Sequence, residues 1–276
     1  MPSDTAPRDW RSEPDGTSFD HTRYAAWQDA ARDVEGWFSD MSAALWDGFL
    51  GQQAAWHMPG DMVEVGCAYG RAALLMGLHA TRHDTVRLID ANPQHAADAS
   101  QRVRTHSRGR AVGIHAMSEQ MDIAQLPMRG TRFMHIDGDH GRWGLHNDMA
   151  LADHALAADG LLVLDDFLAP QFMGVTLGAI EWMAQHPHSF EFIMVGFNKA
   201  YLARPRFAGD WLHFIRDALP AHLHALGHHD FSLWLTDERR ACSCFGITQR
   251  QYDRDFITRE FAMAKPDKRP DGKPEL

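Results

Sequence analysis

MVEVGCAYGRAALLMGL, residues 62–78, decides the fold. Met62 to Val65 has the character of a short strand, a turn with glycines at 66 and 70 follows, and a helix-forming segment begins at Arg71. Gly66 lets the backbone turn sharply, and Gly70 lets the next helix start close to the sheet. A turn bare of side chains also leaves its main chain open to a ligand. Outward from this stretch the same texture repeats. Short apolar runs at Val86 to Ile89, Ala111 to His115, Arg132 to Ile136 and Leu161 to Leu164 alternate with helix-length segments, which predicts βα units and a parallel sheet. Leu145, Met149, Ala152 and Leu156 mark one face of a crossover helix. Right-handed crossovers place the C-terminal ends of all five strands along one edge, where open α/β sheets bind ligands. The expected fold is a doubly wound, mostly parallel α/β sheet.

The flanks extend this core. Residues 20–58 carry apolar residues at helical spacing and predict one or two amphipathic helices, with Trp27, Trp37, Trp46 and Trp56 as packing residues. Beyond Asp166 a helix is expected from Val175 to Gln185, and FEFIMVGFNKAYLARP (190–205) reads as two strands joined at Gly196 to Lys199, an antiparallel end to the sheet. The remainder predicts a helix through Trp211 to Leu219 and a strand at FSLWLT (231–236). The two ends are rich in Pro, Gly and charge. The expected organisation is a mobile N-terminus (1–18), a helical segment (19–58), a core (59–205), a C-terminal extension (206–264) and a mobile tail (265–276).

Composition narrows the partners. With 45% hydrophobic and 23% charged residues the chain is ordinary globular material. Its 27 Lys and Arg against 37 Asp and Glu, a net charge of -10, argue against a sequence-independent grip on nucleic-acid phosphate. A small acceptor fits better, and a homo-oligomer is left open. No run approaches the roughly 18 apolar residues of a membrane span, and the first residues lack the pattern of a secretory signal. Cys67, Cys242 and Cys244 make no disulfide framework, and Cys242-Ser-Cys244 lacks partners for a zinc site. The expected compartment is the cytoplasm.

The second strand ends at Asp90, 24 residues after Gly66, near the offset at which an acid accepts hydrogen bonds from ribose hydroxyls. Glycine turn and acid together describe an adenosine pocket. The glycines do not follow the G-x-G-x-x-G of dinucleotide folds, and Glu64 precedes the first of them, so NAD is the weaker choice. The pattern E-x-G-x-x-x-G resembles the first motif of class I S-adenosylmethionine-dependent methyltransferases. That resemblance implies cofactor contacts from Glu64, Gly66, Cys67, Ala68 and Gly70, with Asp90 on the ribose.

The fourth strand runs into H135-I-D-G-D-H140 and the fifth into Asp165-Asp166. Neighbouring carboxylates repel one another, and one must take up a proton unless a cation lies between them. Mg²⁺, which takes six oxygens and keeps several waters, suits such a cluster. Asp165 and Asp166 can share an ion only if the chain leaves the strand there, since consecutive strand residues point to opposite faces. IDGDH, a crossover helix and then DGLLVLDDF resemble the metal-dependent O-methyltransferases of macrolide sugars and, more distantly, catechol and caffeoyl-CoA methyltransferases. The likeness spans about residues 60–205. It implies a hydroxyl acceptor, Mg²⁺ or another divalent ion on Asp137, Asp165 and Asp166, and His140 as the base. Asp137 also borders the cofactor, and Ser118 matches a position near adenine, although a lone Ser is more often a turn residue. Asp139 reads as a turn residue and His135 as a core histidine. Two other readings stand beside this one. H-x-D-x-D-H has the spacing of a metallo-hydrolase cluster, and a methyltransferase fold can be retained without activity.

Overall fold

Strands β1 (Met62–Val65), β2 (Thr85–Asp90), β3 (Arg110–His115), β4 (Thr131–Ile136) and β5 (Leu156–Leu164) run parallel in one nine-stranded sheet. The computed structural model describes residues 20–121, 130–235 and 244–249; the expectations for 1–18, 265–276, Thr236 and Cys242 lie outside them. The sheet order is β3-β2-β1-β4-β5-β7-β6-β9-β8, with β6 (Glu191–Gly196), β7 (Lys199–Ala203), β8 (Phe231–Leu235) and β9 (Phe245–Gln249) completing it. β7 is antiparallel to both β5 and β6. Strand order reverses between β1 and β4, and such a switch point opens a crevice at the strand C-termini. Gly66 follows β1 and Asp137 follows β4, so both lie at that crevice.

Alternation along the strands feeds two cores. Met62, Leu88, Phe133, Leu161 and Tyr201 face one side, with α1 (Thr22–Ala30), α2 (Asp40–Ala55), α3 (Arg71–His79), α7 (Pro205–Asp217) and α8 (Leu219–Ala225). Val63, Val65, Met134, Ile136, Leu162 and Leu164 face the other, against α5 (Arg142–Ala155) and α6 (Met173–Gln185). Between β2 and β3 lies α4 (Pro93–His106), begun by Pro93 at its first position and by the Asn92 side chain, which accepts from Gln94 N. Ser39 caps α2 in the same way, accepting from Ser42 N at 3.1 Å.

Several expectations need correction. α2 is buried nearly all round, from Ser42 to Gln53, because it is enclosed by the sheet, α3 and α8; a helix covered on every side shows no polar face. Trp27 and Trp46 are core residues, but Trp37 lies fully exposed in the loop before α2. Leu156 opens β5 rather than closing the crossover helix, since Asp159 and Gly160 interrupt the apolar run by which a strand is recognised. α7 starts at Pro205, before Trp211, and α8 takes over at Leu219. β9 was not expected: it extends the sheet as a parallel neighbour of β6 and an antiparallel one of β8.

Candidate active site

The glycine turn is forced by its neighbours. Gly66 has φ +82, and a Cβ there would stand 1.8 Å from the Asp137 carbonyl oxygen. Gly70 has φ +79, and a Cβ there would stand 2.9 Å from Ala99 of α4. The amides of Gly66 and Cys67 both donate to Ile89 O, which ties the turn to β2. Asp90 faces this turn and accepts from Ala68 N and Asn92 N, each at 2.8 Å, with His95 Nδ1 3.5 Å away. Cys67 Sγ also donates to Asp90 Oδ2 at 3.9 Å. Cys67 is buried, and burial holds its thiol protonated well above the usual range. Ser118 opens a short 3₁₀ turn after β3.

Glu64 Oε2 is buried without a hydrogen-bond partner among the described residues. The residue lies 2% exposed beneath the turn, level with His135 on the neighbouring strand. A ladder of buried charge runs from it across β1, β4, the end of β5 and β7. His135 donates through Nδ1 to Glu64 Oε1 at 2.9 Å and through Nε2 to Asp165 Oδ2 at 3.2 Å, and Lys199 Nζ donates to Asp165 Oδ1 at 2.6 Å. Burial acts to discharge the His135 ring, but the hydrogen bonds to Asp165 and Glu64 outweigh it and push the pKa to about 9. Burial likewise raises Glu64, and His135 offsets part of that shift. Trp46 packs edge-on to His135 at 4.6 Å between centroids.

Above this ladder the acidic residues divide. The chain leaves β5 at Leu164, and Asp166 takes a left-handed φ of +53, so its carboxylate turns toward Asp137. His140 Nε2 lies 3.3 Å from Asp137 Oδ1 and 3.3 Å from Asp166 Oδ2; one donor atom from each of the three residues falls within 4.8 Å of the others. Asp165 falls in a neighbouring group with Asp137 and His135, one donor atom from each lying within 4.8 Å of the others. Besides Lys199 and His135 it accepts from Asp166 N at 2.8 Å, and these partners hold it well below the usual carboxylate range against the cost of burial. Burial and the charges of Asp165 and Asp137 raise Asp166. The hydrogen bond to Asp137 raises His140, with burial acting against it. Asp139 accepts from Gly141 N at 2.9 Å, the expected turn residue, and His135 is the expected core histidine. Of H-x-D-x-D-H, His135, Asp137 and His140 enter the two donor groups at this site, and Asp139 enters neither among the described residues.

Lys199 and Asn198 escaped the sequence reading. Both come from the β6–β7 hairpin, whose turn residues Phe197 and Asn198 have φ +50 and +55, the doubly left-handed geometry of a two-residue hairpin. Asn198 Nδ2 donates to Asp166 Oδ1 at 2.9 Å. The hairpin joint was visible at Gly196 to Lys199, but antiparallel pairing with β5 is what delivers its tip to the acidic pair.

Residues 63–167 match the model of a family described as a methyltransferase domain. Those residues are similar to a methyltransferase domain. No curated protein sequence matches the chain. Among solved structures, the O-methyltransferase NovP is similar at 16% identity and a TM-score of 0.49, covering 65% of this chain and 87% of its own. The TDP-rhamnose 3′-O-methyltransferase of calicheamicin biosynthesis is similar at 12% and 0.49, covering 71% and 99%. An O-methyltransferase from Bacillus cereus in complex with SAH is similar at 14% and 0.48, covering 66% and 91%. The matched residues end one position past the acidic pair, and α7, α8, β8 and β9 lie beyond them. No helix among the described residues is long and apolar enough to cross a membrane.

Proposed function

We propose that the protein transfers a methyl group from S-adenosylmethionine to a hydroxyl of a small molecule, a sugar or another natural product, with the help of a divalent cation. The observation that carries this reading is the meeting of Asp137, His140 and Asp166 beside the glycine turn. Two carboxylates drawn together, one of them raised by the other's charge, form a donor set that a cation would relieve. Asp137, Asp165 and Asp166 would hold the ion, with Asp165 also accepting from Lys199, His135 and the Asp166 amide. A divalent ion there would neutralise the pair and acidify a bound hydroxyl. His140 is positioned to accept the acceptor's proton as the new bond forms. Phe172, 4.2 Å from the His140 ring between centroids, gives the acceptor an aromatic wall.

Calorimetry tests the cofactor half. S-adenosylmethionine binds wild type, and Asp90→Ala weakens it by roughly 1.5–3 kcal/mol for loss of hydrogen bonds to a charged group. Unchanged affinity would misplace the pocket. SAH release with a panel of hydroxylated compounds tests the other half: turnover stops on chelation and returns with Mg²⁺ or Mn²⁺. Full turnover after exhaustive chelation removes the cation from the reading.

A further inference from the structure

Three imidazoles converge on one buried carboxylate outside the donor groups of the cleft. Asp47, on α2, is 1% exposed. His79 closes α3, at the edge of the sheet opposite the strand C-termini, and donates Nε2–H to Asp47 Oδ1 at 2.7 Å. His222 of α8 is 2% exposed and brings Nε2 to 3.4 Å from Asp47 Oδ2, with Ala44 O at 3.2 Å. His21, the residue before α1, lies 5.4 Å from the His222 ring between centroids. Its Nδ1 is shut off from solvent without a hydrogen-bond partner among the described residues. Room for His222 is made by Gly48, where a Cβ would stand 2.9 Å from its Cδ2. Glycine within a helix costs about 1 kcal/mol relative to alanine, so this close approach is made at the expense of helix stability.

We propose that His21, Asp47 and His222 form a second metal site, for a divalent ion of the zinc class, with His79 holding the Asp47 carboxylate in place. One donor atom from each of the three lies within 4.8 Å of the other two. The 3.4 Å between His222 Nε2 and Asp47 Oδ2 is long for a charge-assisted hydrogen bond. It matches the separation of two ligands on one tetrahedral ion, about 3.3 Å for bonds of about 2.0–2.1 Å. Two imidazoles and a carboxylate suit zinc or its transition-metal neighbours rather than Mg²⁺. The His79–Asp47 hydrogen bond is the kind of outer contact that orients a ligand. Ligation through Nε2 takes the neutral His222 tautomer with its proton on Nδ1, the ion replacing the Nε2–H that the Ala44 carbonyl accepts. Arg23 and Arg132 act on His79 through space, and neither makes an ion pair with Asp47 among the described residues. The ion would clamp the start of α1, the middle of α2 and α8, joining the C-terminal extension to the N-terminal helices.

The test uses the full chain carrying Asp137→Asn and Asp166→Asn, which removes the cleft as a competing site and relieves repulsion there. After chelation and dialysis this protein is titrated with Zn²⁺ and with Co²⁺. One ion per chain is expected by elemental analysis, with the intense visible absorption of four-coordinate Co²⁺ and a rise in Tm. Adding His21→Ala, a partly exposed change that leaves the core intact, should weaken binding at least tenfold and abolish the Tm rise while the far-ultraviolet circular dichroism is unchanged. Binding of less than one ion per chain before the His21 change, or equal binding after it, overturns the proposal. Because the cleft is disabled throughout, failure here leaves the methyl-transfer reading untouched.

Discussion

His140 and Asp148 show how far a single side chain can be argued. The Asp137 hydrogen bond raises His140, so in the absence of a cation its neutral, proton-accepting form is reached only above the ordinary imidazole range. His140→Ala should lower the rate constant by roughly 10² to 10⁴ while S-adenosylmethionine affinity persists. The acid limb of the wild-type rate profile should shift to lower pH as the divalent concentration rises. Equal turnover in wild type and variant across that range would assign the base elsewhere. Asp148, on α5, is fully buried with no hydrogen-bond partner for either oxygen among the described residues, and a Cβ on Gly138 would lie 3.0 Å from its Oδ2. Burial pushes its pKa up to about 7, with Ser118 near enough to offset part of the rise. The folded state then holds a proton that the unfolded chain releases near pH 4, so wild-type stability falls as pH rises from about 4 through about 7. Asp148→Asn removes that term. Its stability relative to wild type should grow across the same window by on the order of 3 kcal/mol, read from urea melts at pH 5 and pH 8. A constant difference would mean that Asp148 is ionised throughout. Asp137, Asp165, Asp166 and His140 were legible in the sequence because they adjoin strand ends. Lys199 and Asp148 were not, since their surroundings are made by chain far away in sequence.

At the level of elements, what the sequence disclosed depended on whether an element's neighbours are its own sequence neighbours. β1 was read to the residue, because a strand, a glycine turn and a helix in succession are set by local preferences. β9 and the first part of β5 were hidden. Phe245 to Gln249 gains its strand character from pairing with β6 and β8, and Asp159 breaks the apolar pattern of β5. α2 was recognisable as helix but not as a core element, because what covers it arrives with α8. The glycine turn allows a sharper experiment. Gly66→Ala would force a Cβ onto the Asp137 carbonyl at 1.8 Å in addition to the cost of φ +82, so β1 and β4 must separate at their C-terminal ends. On the order of 4 kcal/mol of destabilisation is expected, together with loss of cofactor binding. Gly130→Ala serves as its control: it shares a left-handed φ of +90, but its Cβ would meet nothing within 4 Å among the described residues, so about 1–2 kcal/mol should suffice. Equal losses in chemical denaturation would show that conformation, not the contact with β4, dictates the glycine at 66.

For the whole molecule, the question is whether the C-terminal extension is an appendage or part of the core. Its residues 206–264 lack a site motif and lie outside the matched domain, which invites the first answer. Packing gives the second. Phe49 of α2 stacks on Tyr201 of β7 at 4.9 Å between centroids and also meets Trp211 and Phe214 of α7 at 5.6 and 5.4 Å. Trp56 closes on Trp211 at 4.7 Å. Phe214, Ile215, Leu219 and Leu223 are buried in the same core as α1, α2 and α3. Removing α7 and α8 would uncover several large side chains, each worth roughly 1.5–3 kcal/mol of burial, against a total stability of about 5–15 kcal/mol for a typical domain. The full chain should therefore unfold in a single cooperative transition, and a fragment ending at Arg204 should show no cooperative melt and should bind hydrophobic dyes. Calorimetry of both decides the matter. A fragment that melts sharply and binds S-adenosylmethionine with wild-type affinity would make the extension a separate unit, and the aromatic contacts of Phe49 would then be a docking surface rather than a core.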